Sequence, residues 1–372
     1  MTQPLWIATR KGLFQLHAGD GWRVGAPSFL GDPVSMVLDD RRDGAVYAAL
    51  NLGHFGCKLH RSEDRGATWT ELAVPSYAGL PATTRPPSSD GAPSATEPPT
   101  LKMVWALEAG GADQPGRLWA GTLPGGLFRS DDRGASWTIV DSLWDVPARR
   151  KWFGGGYDWP GIHSVLVDPR DSRRLLAGVS CGGAWASDDD GGSWTCRATG
   201  MRADYMPPEL SGDPEIQDPH RIVACATAPE VLWTQHHCGI FKSRDGGRQW
   251  HAVDAARPSG FGFAVAVHPR DPDTAWFAPA VKDERRVPVD ARFVVSRTRD
   301  GGQTFDVLDR GLPAPSYDLV YRHALDVDAT GNVLAMGSTS GSLWVSTDGG
   351  DSWTTVSTHL PPIYAVRFGR QD

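Results

Sequence analysis

Short apolar runs, each four to seven residues long and closed by a polar or glycine-rich turn, recur along the whole chain, as in Val34–Leu38, Ile162–Val167 and Ile363–Phe368. Runs of this length bounded by turn residues read as β-strands packed on both faces, and no stretch keeps a helical period long enough to compete. Seven runs have the character of the first strand of a repeating unit: Val34–Leu38, Leu101–Leu107, Ile162–Val167, His220–Ala226, Phe261–Val267, Val320–Val327 and Ile363–Phe368.

Between them the pattern Ser-x-Asp-x-Gly-x-Ser/Thr-Trp punctuates the chain. It stands at Ser62/Asp64/Gly66/Thr68/Trp69, Ser130/Asp132/Gly134/Ser136/Trp137, Ser187/Asp189/Gly191/Ser193/Trp194 and Ser346/Asp348/Gly350/Ser352/Trp353. Two copies have drifted, Ser243/Asp245/Gly247/Gln249/Trp250 and Thr298/Asp300/Gly302/Thr304/Phe305, and successive copies lie 68, 57, 56, 55 and 48 residues apart. A period of this size signals a repeat architecture. The carboxylate and hydroxyl accept hydrogen bonds from backbone N–H groups in a tight turn, Gly supplies a backbone angle that other residues resist, and the Trp offers an apolar face to the neighbouring repeat.

The pattern is that of the Asp-box, or BNR repeat. The chain resembles the Asp-box propellers, which include sialidases, xyloglucan-active enzymes, sortilin-type receptors and photosystem assembly factors. The resemblance implies an all-β, seven-bladed β-propeller spanning residues 1–372 as one domain. The last first-strand has no box after it. Its partners are expected at the other end, Leu5–Thr9, Gly12–Leu16 and Trp22–Val24, so that segments 1–25 and 361–372 share a blade and remove two free sheet edges. A six-bladed ring with irregular ends is the alternative. In the family the boxes lie away from the binding face, so no catalytic role attaches to them. True sialidases carry an Arg-Ile-Pro motif; here Arg10-Lys11-Gly12 stands near the start and no Arg-Ile-Pro occurs.

Strand order sorts the long insertions 73–100, 142–161 and 199–219 to the face opposite the boxes, with Pro279–Asp290 beside them. The first is rich in Pro, Ser and Thr and is expected to be partly disordered. Six of eleven histidines fall on that face. His163, His220, His236 and His323 are the candidate metal ligands, for one divalent Zn, Mn, Fe or Cu ion, because neutral imidazole suits such metals and rigid strands fix geometry. His236 and His237 are adjacent and cannot both face inward along a strand. His54, His237, Tyr157, Asp158 and Arg322 are candidates for proton transfer and catalysis. Arg10, Lys11, Trp159, Glu209 and Lys282 are candidates for holding substrate. Paired-carboxylate glycoside hydrolysis would draw on Glu209, Glu215, Asp158 and Asp218.

Composition narrows the partners. Sixteen Trp and 43 Gly suit short strands, tight turns and aromatic packing. A net charge of −7, without a basic track, argues against nucleic-acid and membrane surfaces. Five cysteines without Cys-x-x-Cys spacing and a start lacking a basic-then-apolar leader point to the cytoplasm. The favoured reading is a hydrolase or lyase acting on a small polar or carbohydrate-like substrate in a histidine-rich pocket. The alternative is a non-catalytic scaffold that binds a protein.

Overall fold

A computed structural model describes residues 4–19, 21–85 and 95–369. The chain is an all-β, seven-bladed propeller: seven four-stranded sheets and one small hairpin, with helix confined to a few short turns. In each of six sheets the strands follow chain order. The seven first strands are Val34–Asp39, Met103–Ala109, Ile162–Val167, Pro219–Cys225, Gly262–Val267, Leu325–Val327 and Ile363–Phe368, which matches the seven runs read from the sequence. The sixth is shorter than expected. Residues 320–324 leave the ladder, and His323 instead forms an isolated parallel bridge to Ala365.

The seventh sheet joins the two ends of the chain, in the order Gly21–Val24, Gly12–Gly19, Leu5–Thr9, Ile363–Phe368. Leu5 faces Phe368 and Ile7 faces Val366, and all four side chains are buried. Both terminal segments thereby lose a free edge.

Two compact units make up the chain. One holds Met1–Arg41, His220–Gly246 and Trp250–Asp372, and the other Arg42–Pro219 with Gly247–Gln249. The core of the first includes Ile7, Trp276, Phe293, Leu334, Met336, Trp344 and Val366. In the second, Trp119, Trp152, Ile162, Val165 and Trp185 pack together.

The recurring corner has the same hydrogen-bonded geometry in five copies. In the last copy, Ser346 Oγ donates to Asp348 Oδ1 at 2.7 Å and accepts from Gly350 N–H at 2.9 Å. Asp348 in turn accepts from Ser352 N–H at 2.9 Å and Ser352 Oγ at 2.6 Å. The copies at Ser62, Ser130, Ser187 and Thr298 repeat this pattern. The turn also needs a left-handed residue three places after the hydroxyl. Gly246, Gly301 and Gly349 supply it in three copies, while Arg65, Arg133 and Asp190 adopt φ of 58°, 59° and 62° in the others. Box tryptophans reach the preceding blade: Trp137 Nε1 donates to Ala73 O at 3.1 Å and Trp194 Nε1 to Ser142 Oγ at 3.1 Å.

All three insertions contribute buried side chains. In 142–161, Leu143, Trp144, Ala148 and Trp152 are buried on a helical turn and a 3-10 segment; in 199–219, Met201, Ala203 and Ile216 are buried. In the first insertion, Tyr77 is buried and its hydroxyl lies 2.5 Å from Thr122 Oγ1 and 2.7 Å from Pro124 O, with Thr83–Arg85 pairing Ala95–Glu97. The expectation of partial disorder covers 73–100; of these, 73–85 and 95–100 are described and 86–94 lie outside the described residues.

Removing one corner hydroxyl strands a backbone N–H in a buried turn. Ser346→Ala is expected to cost about 1–3 kcal/mol, read from the denaturant midpoint at unchanged m-value. Hydrogen bonds from hydroxyl and N–H groups hold the carboxyls of Asp64, Asp189 and Asp300 down to about 2. Folded-state values below the unfolded value of about 3.9 mean a contribution that is complete above pH ~4 and lost as pH falls towards 2. Equilibrium unfolding between pH 6 and 2, scaled roughly from these values, should show stability dropping in that window, with a smaller drop in an Asp64→Asn/Asp189→Asn variant.

Candidate functional site

Asp218-Pro219-His220 opens the first strand of the fourth blade. A residue before proline is pushed to extended backbone, and proline is tolerated as the first residue of a strand. Side chains two apart on extended backbone share a face, so Asp218 and His220 are set side by side by local sequence alone. Both are buried.

His220 is fixed from two directions. Its Nδ1 lies 2.7 Å from the Gly262 carbonyl, which can only accept, so the proton sits on Nδ1 and Nε2 carries the lone pair in the neutral ring. Its ring stacks on Phe263, with centroids 4.4 Å apart and planes at 14°. Gly262 is required at this contact: a Cβ there would meet Ala278 O at 2.6 Å and Gln235 Oε1 at 3.3 Å. Gln235, buried, holds the approach to that strand by donating from Nε2 to Gly260 O at 2.8 Å. Gln235 was not singled out in the sequence, and an amide beside two histidines gives no signal that it braces another blade.

Asp218 is oriented equally well. Oδ1 accepts from Ser180 Oγ at 3.2 Å and from Cys181 N–H at 3.1 Å. Cys181 takes φ 49°, a left-handed conformation that costs a residue with a Cβ roughly 1–2 kcal/mol. The Gly154–Gly156 run comes close above it, since a Cβ on Gly155 would meet Cys181 Sγ at 2.4 Å and Asp218 Oδ2 at 3.4 Å.

The strand Ala228–His236 ends at the paired histidines, and alternation splits them. His236 turns into the core: it is buried, its Nδ1 accepts from Cys238 N–H at 3.0 Å, and its ring sits 5.2 Å from Phe241. His237 is half-buried and lies edge-on to His220, with ring centroids 5.4 Å apart. His163 is buried, with Nδ1 3.0 Å from Ser164 Oγ and its ring 5.6 Å from Trp105. His323 is buried, and its carbonyl accepts from Val366 N–H at 2.9 Å.

The remaining candidates divide by environment. Arg322 places its guanidinium 5.2 Å from the Phe263 ring, and Arg286 lies 5.3 Å from that ring. Lys282, exposed, pairs with Glu284 at 3.3 Å. Tyr157 is exposed and edge-on to Trp105 at 5.2 Å, and Asp158 beside it is exposed. Trp159 is buried with Met103, Trp105 and Leu123, so its indole serves the core. His54, exposed, rests against Phe55 on a 3-10 turn. Arg10, Lys11 and Glu209 are exposed, and Glu215 pairs with Lys151 at 2.6 Å.

Comparison with known proteins gives fold and a distant relative. A scan of known protein families finds no match to the sequence. The chain is 23% identical over 284 residues to a probable oligoxyloglucan-reducing end-specific xyloglucanase from Neosartorya fischeri, covering 69% of this chain and 32% of that protein. The chain therefore spans about a third of that relative's length. Among solved structures, an ancestral GH74 enzyme superposes with a TM-score of 0.59 at 15% identity, covering 93% of this chain and 38% of that one. YCF48 from Cyanidioschyzon merolae superposes with a TM-score of 0.55 at 16% identity, covering 92% of this chain and 90% of that one. YCF48 bound to a D1 peptide gives 0.51 at 13% identity, over 92% and 87%. At such identities the likeness is one of fold.

Gly262→Ala forces backbone apart next to the His220 contact. A loss of about 1–3 kcal/mol is expected, measured by chemical denaturation.

Proposed function

We propose that this chain is a hydrolytic enzyme acting on a small, carbohydrate-like substrate beside the imidazoles of His220 and His237. One observation carries the reading: two imidazoles, one with its tautomer fixed by the Gly262 carbonyl and one half-buried, meet edge-on with ring centroids 5.4 Å apart. Groups of this kind bind polar substrates and activate water near neutral pH. The partial similarity to a xyloglucanase supports a sugar as the substrate class. Paired-carboxylate hydrolysis fits less well, because Glu209 is exposed and Glu215 is committed to Lys151. We further propose that the six aspartate corners are Asp-boxes in the family sense, and that the protein works in the cytoplasm, in keeping with five cysteines that form no disulfide.

A second reading, a propeller that binds a protein partner, draws on the near full-length superposition with YCF48 and on Leu30 and Tyr317, exposed at 76% and 73%.

Reducing-end release from a panel of neutral and acidic oligosaccharides, xyloglucan fragments included, discriminates the two. Turnover by the wild type that falls roughly 10²–10⁴-fold in His237→Ala, at unchanged melting temperature, is expected. No turnover on any member of the panel would remove the enzyme reading.

A further inference from the structure

We infer that Arg286 and Arg322 anchor an oxyanion, so that the ligand taken beside His220 and His237 is an acidic sugar, either a uronate or a sugar phosphate. The inference rests on the site proposed above for its location and adds the charge of the ligand, which binding reads without turnover.

Phe263, at the start of the first strand of the fifth blade, organises the anchor. Its ring is buried and stacks on the imidazole of His220, with centroids 4.4 Å apart. Two guanidiniums lie over the same ring, Arg322 Cζ at 5.2 Å and Arg286 Cζ at 5.3 Å from its centroid. Phe261 continues the apolar floor, 5.5 Å from Phe263 and 6.0 Å from His237. The polar groups arrive from three places: the two histidines from the fourth blade, Arg286 from the loop after Ala275–Pro279, and Arg322 from the segment before Leu325–Val327.

Chemistry selects an oxyanion for this arrangement. An aromatic face attracts a guanidinium through its quadrupole, and a guanidinium held there offers a planar fork of N–H donors that matches a carboxylate or phosphate. Two such charges beside one apolar ring repel each other where solvent screens weakly. An anion shared between them turns that repulsion into attraction on both sides.

The loop that carries Arg286 presents the fork. Asp283 accepts from Arg286 Nη2 at 2.5 Å and from Nε at 3.0 Å, and the Asp283 carbonyl accepts from Nε at 3.1 Å. These bonds fix one edge of the guanidinium, and among the described residues its Nη1 makes no hydrogen bond to protein. Glu284 is matched separately, by Lys282 at 3.3 Å. Exposure rises from ring to rim: Phe263 and His220 are buried, Arg322 and His237 half-buried, and Arg286 exposed. A ligand therefore meets the charges from solvent and the imidazoles beneath them.

The test is calorimetric titration of the full-length chain with two matched pairs of probes, trigalacturonic acid against its fully methyl-esterified form and glucose 6-phosphate against glucose. Wild type is expected to bind the acidic member of at least one pair about tenfold or more tightly than its neutral twin, and the preference should shrink as salt is raised. Arg322→Gln and Arg286→Gln should each weaken the acidic probe about 10–100-fold, the worth of a hydrogen bond to a charged group, and leave the neutral twin unchanged. Arg299→Gln removes the same charge from the corner end of the same sheet and is expected to behave as wild type. Circular dichroism checks each fold, and if Arg322→Gln does not fold, the exposed Arg286 carries the test. The two pairs tell a carboxylate from a phosphate. A wild type without acidic preference in either pair, or a folded Arg286→Gln that keeps the wild-type preference, overturns the inference. Hydrolysis of neutral oligosaccharides without acidic preference would keep the enzyme and remove the anchor. Acidic preference without turnover of any oligosaccharide would keep the anchor and remove the hydrolytic reading.

Discussion

Six buried hydroxyls, each donating to an aspartate and five of them accepting from the N–H of a glycine, are the interaction on which this structure depends. A turn that satisfies its own polar groups internally can end a buried strand without water, and leaving those groups unmade would cost more than making them gains. Each corner reverses the chain between third and fourth strands at a fixed register. The Trp that follows then packs back towards the preceding blade, as Trp137 and Trp194 do. Where the corner's left-handed position is held by Arg or Asp in place of Gly, the bonds around it maintain a conformation those residues disfavour.

The imidazoles of His220 and His237 come from two strand termini, and their geometry is imposed by backbone. A carbonyl exposed at Gly262 fixes a tautomer, and the absence of a side chain at Gly262 lets that strand come close. For the proposed hydrolysis, preorganisation of this kind would mean that orienting the two imidazoles has been completed in folding. Phe261 and Phe263 line the imidazoles with apolar surface, which strengthens electrostatic interactions in the centre.

Fold and function separate cleanly in the comparisons. Superposition over more than nine tenths of the chain relates it to a glycoside-hydrolase-type enzyme and to YCF48, and these neighbours themselves divide between a catalyst and a protein with a bound peptide. The architecture therefore leaves the activity open, and the argument for catalysis rests on named side chains.

The repeat in the sequence determined the sheets. Its period, the alternation of apolar runs with corners and the absence of a corner after Ile363–Phe368 were enough to place all seven first strands and the shared terminal blade, because these are local turn and strand preferences repeated many times. The entry of His220 was local too, since a proline before it sets extended backbone whatever surrounds it. Tertiary structure alone decided the rest. Alternation says that His236 and His237 point opposite ways, but which one faces the core depends on the neighbour that each meets, Phe241 or His220. Burial of Trp159 with Trp105, and of the helical turn after Asp141, likewise follows from apolar surface contributed by distant strands, which no local pattern specifies.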